Sequence, residues 1–365
     1  MARLGEDVSL ARFTTLGLGG PARRFAEAAA EAELLAEVRS ADEQREPLLV
    51  LGGGSNLVIA DDGFPGTVVR VATRGICREA RDDTVRLTVA AGEDWDAVVT
   101  QAVGDNLAGL ECLSGIPGLA GATPIQNVGA YGQEVAQTLV TVRAYDRAQR
   151  TVTELRHAEC GFGYRTSAFK RSAQAGAVTG RFIVLAVTFR LQRSALSAPV
   201  RYVELARALG VAEGDRAPLA DVRSTVLGLR RGKGMVLDAA DPDTRSAGSF
   251  FTNPVLDLQQ FADLERAVAG VCGPGVQIPR FAAGPGRVKV PAAWLIERAG
   301  FGKGYRPGPD GQDARISAKH TLALVNPGNA TTASLLSLAR EIAGGVRKTF
   351  GVDLAPEPVL VGADL

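Results

Sequence analysis

Two long glycine-rich stretches, each preceded by an apolar run, constrain this chain more than anything else in its 365 residues. The first is Leu51-Gly52-Gly53-Gly54-Ser55-Asn56. The second begins Ser114-Gly115-Ile116-Pro117-Gly118 and runs on through Gly121-Ala122-Thr123-Pro124-Ile125-Gln126-Asn127-Val128-Gly129-Ala130-Tyr131-Gly132. Glycine tolerates positive φ and carries no Cβ, so such loops let bare backbone N–H groups approach an anion. Either loop alone could be a tight turn. The pair points to a large phosphate-bearing cofactor held between two lobes.

The balance of 41 Lys+Arg against 40 Asp+Glu leaves a formal charge of +1, which gives no footprint for nucleic acid. The basic spot Arg230, Arg231 and Lys233 is too small for a nucleic-acid groove and suits a single anionic ligand. Aromatic residues at 5% make poor base-stacking platforms. Cys77, Cys112, Cys160 and Cys272 form no CxxC pair, so scattered reduced thiols of a cytoplasmic protein are expected. The first residues lack a signal-peptide apolar core, and no apolar run is long enough to span a bilayer. With only His157 and His320, a catalytic metal site is not expected. The expected protein is a cytoplasmic monomer with small-molecule ligands.

Periodicity predicts a helix over 26–44, a buried strand at Pro47–Leu51 that ends in the first loop, and strands at Thr67–Ala72 and Val85–Ala91. Asp94 is placed to cap a helix that runs to about Asn106. Strands follow at Leu139–Tyr145, Thr151–Arg156 and Phe182–Leu191. The small-residue stretch Ser194–Pro199 reads as a domain boundary. Beyond it, helices are expected at 200–209, 218–232 and 257–270, then a strand near Val288–Val290. Pro291 suits the first position of a helix over Ala292–Ala299. A long amphipathic helix at Thr332–Phe350 and a last strand over Val352–Val361, broken by Pro356 and Pro358, complete the chain.

Three motifs mislead. Gly17-Leu18-Gly19-Gly20-Pro21-Ala22 fits the G-x-G-x-x-A dinucleotide fingerprint, but Arg12–Thr15 is a poor preceding strand and no clean βαβ unit follows. Ser167-Ala168-Phe169-Lys170 fits the S-x-x-K of acyl-enzymes without its companion motifs. Gly232-Lys233 and Gly302-Lys303 lack P-loop spacing.

Five further stretches carry chemistry-bearing groups: Gly163–Lys170, Ala247–Pro254, Val288–Glu297, Ile316–Asn326 and Pro356-Glu357-Pro358. With the two loops, the strings Gly-Gly-Gly-Ser-Asn, Pro-Ile-Gln-Asn-Val-Gly-Ala-Tyr-Gly, Gly-Tyr-Arg-Thr-Ser-Ala-Phe-Lys and Gly-Ser-Phe-Phe-Thr-Asn-Pro resemble the UDP-N-acetylenolpyruvoylglucosamine reductases. These are flavoenzymes that complete UDP-N-acetylmuramate for bacterial peptidoglycan. The resemblance runs from Thr15 to Gly362, in the longer subtype with a tyrosine lid.

The fold it implies is α+β: a two-lobed FAD-binding module of the vanillyl-alcohol-oxidase (PCMH) type, then a smaller α+β substrate-binding domain. The module would cover 1–193, with lobes of about 1–72 and 73–193, and the second domain 194–365, its tail returning to the active site. The resemblance also implies non-covalent FAD and NADPH as co-substrate. Hydride would pass from NADPH to the flavin and from flavin N5 to C3 of an enolpyruvyl ether, with a proton to C2. Gly52, Gly53, Gly54, Ser55 and Asn56 would bind the pyrophosphate. Ser114, Gly118, Gly121, Ala122, Gln126, Asn127, Gly129 and Ala130 would complete the cofactor pocket.

Arg165 would bring a planar cationic fork to the pyruvyl carboxylate, or else sit in a surface salt bridge. Ser249 matches the proton donor, although an isolated Gly-Ser is commonly a cap. Glu357 matches the C-terminal carboxylate that assists the enol intermediate. Here the chain departs from the family pattern, since Pro358 follows the glutamate and Val359-Leu360 replaces the commoner Arg-Phe type of pair. Tyr164, Lys233 and Asn253 are expected to bind substrate, Lys233 at the diphosphate. Tyr202 as the lid and Glu297 as a substrate contact stand beside plainer readings as a packed aromatic and a helix-surface charge. A covalent-flavin oxidase of the same superfamily and a nucleotide-sugar binder without activity are the rivals. Against them stand the lack of His in either loop and the joint presence of Arg165, Ser249 and Glu357.

Overall fold

The protein is described by a computed structural model covering residues 2–173, 177–307 and 313–365. Its contacts divide the chain into two compact units. One takes in the chain up to Ser9, Pro21–Gly54 and Phe64–Val236. The other takes in Leu10–Gly20, Ser55–Gly63 and Leu237–Leu365.

Among the described residues, the first unit holds a four-stranded sheet in the order Arg3–Ser9, Pro21–Ala28, Phe64–Val71, Leu48–Leu51. The first pair is antiparallel and the others are parallel. Thr67, Val68 and Val69 are consecutive and all fully buried. That is how a strand reads when both faces of a parallel sheet are covered. The unit's second sheet has the order Thr151–Arg156, Leu139–Asp146, Phe182–Arg193, Thr84–Ala90, Ile76–Arg81, all antiparallel. Leu107–Ala108 adds to it along Phe182–Arg193. Its inward residues Leu87, Val89, Val142, Val187 and Phe189 pack on Trp95, whose ring centroid lies 5.6 Å from that of Phe189. Asp94 caps the helix Trp95–Gly104 as its position predicts, accepting from the Ala97 N–H at 2.8 Å. The helix stops two residues short of Asn106, which turns to φ +55°.

One sequence reading changes here. The helix expected over 26–44 covers only Glu31–Glu43. Residues 26–28 belong to the strand Pro21–Ala28, where Ala26 and Ala28 are fully buried. Pairing on both edges outweighs the helix propensity of an Ala/Glu-rich run. The same strand disposes of the G-x-G-x-x-A fingerprint. Gly17–Ala22 leads into a strand, so no helix N-terminus stands there to receive a pyrophosphate.

The boundary expected at Ser194 does not coincide with the compact division, which falls after Val236. The helices Val203–Leu209 and Leu219–Gly232 bury Leu205, Ala206, Val222 and Val226 with Cys112 and Val200 in one small core. That apolar contact holds residues 194–236 in the first unit.

The second unit is built on the helix Thr332–Phe350, which matches its predicted span. Leu335, Ala339, Ile342 and Val346 bury one face against Leu16, Leu18 and Val58. The Asp61 carboxylate accepts from the Thr332 and Ala333 N–H groups at 2.8 and 2.9 Å, a carboxylate at the positive end of the helix. The expected last strand is confined to Val359–Val361, parallel to Leu57–Ile59, because the prolines interrupt the ladder before it. Among the described residues no helix is long and apolar enough to cross a membrane.

Asn326 fastens the segment Leu10–Gly20 within this unit. Its Nδ2 donates to the Leu16 carbonyl at 3.0 Å, and its Oδ1 accepts from Gly328 and Ala330 N–H groups. Replacing it leaves buried backbone groups unpaired. Asn326→Ala is therefore expected to cost roughly 1–3 kcal/mol or more in a urea titration, far above a typical surface substitution.

Candidate active site

In the first unit the strand Leu48–Leu51 delivers the chain directly into Gly52–Gly54, and Gly54 turns at φ +61°. A Cβ at Gly53 would stand 2.6 Å from the Gly118 Cα. The two glycine loops therefore meet backbone to backbone, a packing only glycine permits. At Gly52 the nearest atoms to an added Cβ are the Ala122 Cβ at 3.9 Å and the Leu119 Cδ1 at 4.0 Å, so the loop is open on that side. Gly121 is bound tightly: its N–H donates to the Ala91 carbonyl at 2.9 Å, and a Cβ there would meet Ala91 at 2.5 Å.

Ser114 and Asn127 build the second loop itself. Ser114 is fully buried and donates to the Glu111 carbonyl at 2.7 Å. Asn127, at φ +48°, donates to Glu134 at 2.7 Å and to the Gly163 carbonyl at 3.3 Å, and accepts from the Ala136 N–H. Gly129–Ala130 pairs with Gln133–Glu134 around Tyr131-Gly132, both at positive φ, as a two-residue hairpin turn requires. Within the second loop the N–H groups of Gly115, Ala120, Gly121, Ala122, Thr123, Ile125 and Val128 already donate inside the protein, so the backbone donors the cradle turns to an anion are those of Gly52–Gly54, on its open side. A cradle of this kind fits a dinucleotide pyrophosphate.

Arg165 lies beside this loop in the same unit. Its backbone is at φ +51°, a conformation a non-glycine residue holds only where its surroundings impose it. The turn bridging Gly163 and Thr166 imposes it here. The guanidinium donates to the Gly129 carbonyl at 3.3 Å and stands 5.8 Å from the Tyr164 ring centroid. Ser167 is fully buried, caps the short helix Ala168–Arg171 and donates to the Ile125 carbonyl at 2.5 Å. The S-x-x-K serine is thus a cap, not a nucleophile.

Tyr202, Lys233 and Tyr131 also gather in the first unit. Tyr202 is 43% exposed and meets the Tyr131 ring edge to face at 5.4 Å. The Lys233 ammonium is 5.6 Å from the Tyr131 ring centroid and 2.7 Å from a Glu204 carboxylate oxygen.

In the second unit, backbone pairing brings Ser249, Glu357 and Asn56 to one place. Ser249 ends the strand Ser246–Ser249, opposite Ala323, just after Gly248 at φ +74°. The adjacent rings of Phe250 and Phe251 are buried and anchor it. The Glu357 N–H donates to the Phe250 carbonyl at 2.8 Å, and Phe251 bridges to Pro356. Asn56 donates to the Glu357 carbonyl at 3.4 Å, and its own carbonyl accepts from Val359 at 2.9 Å. The tail therefore comes back to the end of the first glycine loop and to the serine strand together.

Asn253 and Glu297 are engaged in holding the fold. The Asn253 Oδ1 accepts from the Ala292 N–H at 2.9 Å and so caps the helix Ala292–Arg298. Pro291 precedes that helix as its cap residue, not as its first position. Glu297 accepts a hydrogen bond from the Thr321 hydroxyl. In the stretch Ile316–Asn326, Lys319 pairs with Asp241 at 2.5 Å.

Sequence reading missed Asp96. Its carboxylate accepts from the Gly115 N–H at 2.6 Å and from both Arg223 Nη groups at 2.7 and 2.8 Å. Arg230, from the same helix as Arg223, donates to the Gly115 carbonyl at 3.3 Å and the Met235 carbonyl at 2.8 Å. Burial lowers the Arg230 guanidinium to about 10, against the opposing pull of Tyr131 and Asp96. These residues clamp the second glycine loop to the helix Leu219–Gly232. No local pattern announces a pair so far apart in sequence.

Residues 22–156 match the FAD binding domain family. Together with the glycine cradle, this makes the chain an FAD-dependent oxidoreductase of mixed helix and strand. Residues 241–361 match the C-terminal domain of UDP-N-acetylenolpyruvoylglucosamine reductase. The reductase of that name from Thermobifida fusca is 58% identical over 99% of this chain and 98% of its own. That from Streptomyces coelicolor is 56% identical over 99% and 91%. The crystal structure of the Thermus caldophilus reductase aligns with a TM-score of 0.64 at 26% identity, covering 99% of this chain and 100% of the other. The chain belongs to the UDP-N-acetylenolpyruvoylglucosamine reductase family.

The Asp96 clamp carries a pH signature. Burial raises its carboxyl, but the Arg223 and Gly115 hydrogen bonds outweigh that and hold it below the ordinary carboxylate range. A carboxyl lowered on folding stabilises fully above its unfolded value, about 3.9, and loses that contribution as pH falls through the folded value. The urea midpoint of the native protein should thus exceed that of Asp96→Asn at neutral pH. The gap should close in acid. A gap of constant size would show that the carboxylate charge does not matter.

Proposed function

We propose that this protein reduces the enolpyruvyl ether of UDP-N-acetylglucosamine to UDP-N-acetylmuramate, with NADPH as the source of hydride, in cytoplasmic peptidoglycan precursor synthesis. When bound, FAD supplies the two-electron relay between NADPH and the enolpyruvyl double bond. The observation that carries the reading is the backbone hydrogen bond from Glu357 to Phe250, next to Ser249, in a chain whose other unit presents Arg165 beside a flavin-type cradle.

The backbone of Gly52–Gly54 holds the cofactor pyrophosphate and the second loop completes the pocket, kept in shape by Ser114 and Asn127. Arg165 meets the pyruvyl carboxylate with its planar fork, and its imposed backbone conformation limits how far that fork can stray. As charge develops on that carboxylate, a fixed cation in a site shielded from water is worth more than the same cation in solvent. Ser249 gives the proton to C2. A hydroxyl is a weak acid, so the transfer depends on the enolate as a strong acceptor and on neighbouring polar groups. In this reading Glu357 assists the enol intermediate or its protonation. Lys233 takes the diphosphate, and Tyr164 and Tyr202, both partly exposed, offer flat faces to the nucleotide sugar.

The flavin in this reading is non-covalent. Gly52–Asn56 and Ser114–Gly132 contain neither His nor Cys. Cys112, just before the second loop, is buried, and that burial pushes its thiol far above the ordinary range. A thiol held protonated does not attack a flavin ring. Denaturation in guanidinium chloride should release all of the flavin into the filtrate, and yellow colour retained on the chain would contradict this.

Arg165→Met and Glu357→Gln separate the two half-reactions. Stopped-flow bleaching of the flavin by NADPH should stay near the native rate, whereas recovery of its colour on adding the enolpyruvyl sugar should slow by about 10²-fold or more. Equal slowing of both phases would remove these residues from the second half-reaction.

A further inference from the structure

Lys233 does not present a bare ammonium. Its Nζ lies 2.7 Å from a Glu204 carboxylate oxygen, and this bond together with the charge raises the lysine against the opposing effect of burial. Both partners are set by a shared frame. Glu204 lies in the first turn of the helix Val203–Leu209, and Lys233 follows the helix Leu219–Gly232 directly. Leu205, Ala206, Val222 and Val226 pack those helices together, with Tyr131 against the same core. The Tyr131 ring is 5.6 Å from the ammonium and 5.4 Å from the Tyr202 ring. Burial raises the Tyr131 hydroxyl, Lys233 and Arg230 oppose the rise as positive neighbours, and Glu204 and Tyr202 add to it.

We propose that Glu204 is a counter-ion that holds Lys233 in the ligand-free protein and must give it up to a nucleotide diphosphate. The proposal rests on the reading of Lys233 as the diphosphate cation. The Lys233 and Glu204 side chains are 32% and 41% exposed, so their pair is of the weak, solvent-screened kind that a multiply charged anion can displace. A carboxylate 2.7 Å from the ammonium offsets its attraction for any anion. A neutral nucleoside gains nothing by breaking the pair, whereas a diphosphate brings at least as much charge as it removes. Glu204 thereby makes the site selective for the charged end of the ligand, at the expense of affinity.

The test is calorimetric titration of the flavin-bound protein with UDP and, separately, with uridine. Native protein, Glu204→Gln, Glu204→Ala and Lys233→Met are compared, with the flavin absorbance spectrum as a check that each keeps its fold. Both Glu204 variants should bind UDP more tightly by about two- to fivefold, the range that a partly exposed ion pair allows, and should bind uridine as the native protein does. Lys233→Met should weaken UDP binding. UDP binding that is unchanged or weaker in the Glu204 variants overturns the proposal, since the carboxylate would then orient the lysine or do nothing. Native-like UDP binding by Lys233→Met removes Lys233 from the diphosphate and takes both readings down together.

Discussion

The structure of the first unit turns on the contact between Gly53 and Gly118. With no side chain on either residue, two loops that follow different sheets approach at main-chain distance. A single methyl at Gly53 would have to occupy space already filled by the Gly118 backbone. From this contact follows the open side at Gly52. It also accounts for the effort spent on the second loop's shape. Ser114, Asn127, Asp96 and Arg230 each use a buried or partly buried polar group to fix a glycine-rich segment that has little intrinsic preference for one conformation.

The second unit solves a different problem. Ser249 and Glu357 are far apart in the chain, yet each is set by backbone pairing, which is less tolerant of slip than side-chain contact. Ser249 is held in a strand against Ala323, and Glu357 by its own N–H on Phe250. The parallel strand Val359–Val361 fixes the register of the tail against Leu57–Ile59. The departure from the family pattern after Glu357 has a simple outcome: Pro358 gives up an N–H, and Val359 resumes pairing at Asn56.

Much of this was legible in the sequence. Strong periodicity located Thr332–Phe350, and alternation located Thr151–Arg156. The Asp94 cap was readable because capping is local chemistry. The family resemblance supplied the flavin, which no Rossmann fingerprint announces here. What escaped notice was non-local. Residues 26–28 look helical by composition and instead end the strand Pro21–Ala28, which has neighbours on both edges. Residues 194–236 look like the far side of a linker, but an apolar core with Cys112 and Val200 keeps them in the first unit. Asp96 with Arg223, and Glu204 with Lys233, are charge pairs made across long sequence separations, so neither partner signals the other. Asn253 and Glu297 illustrate the converse. They stand in family motifs, and the hydrogen bonds they make hold a helix end and a threonine.

The central claim is that one chain takes reducing equivalents from NADPH and delivers them to an enolpyruvyl UDP-sugar. The most direct measurement is an anaerobic titration of the native protein, followed by its visible absorbance. NADPH is added until the flavin colour is bleached, and the enolpyruvyl UDP-N-acetylglucosamine is then added in one portion. The account predicts prompt return of the oxidised-flavin spectrum and one equivalent of UDP-N-acetylmuramate per flavin. Bleaching without return would contradict the substrate assignment, and a colourless protein that takes up no FAD would contradict the whole account.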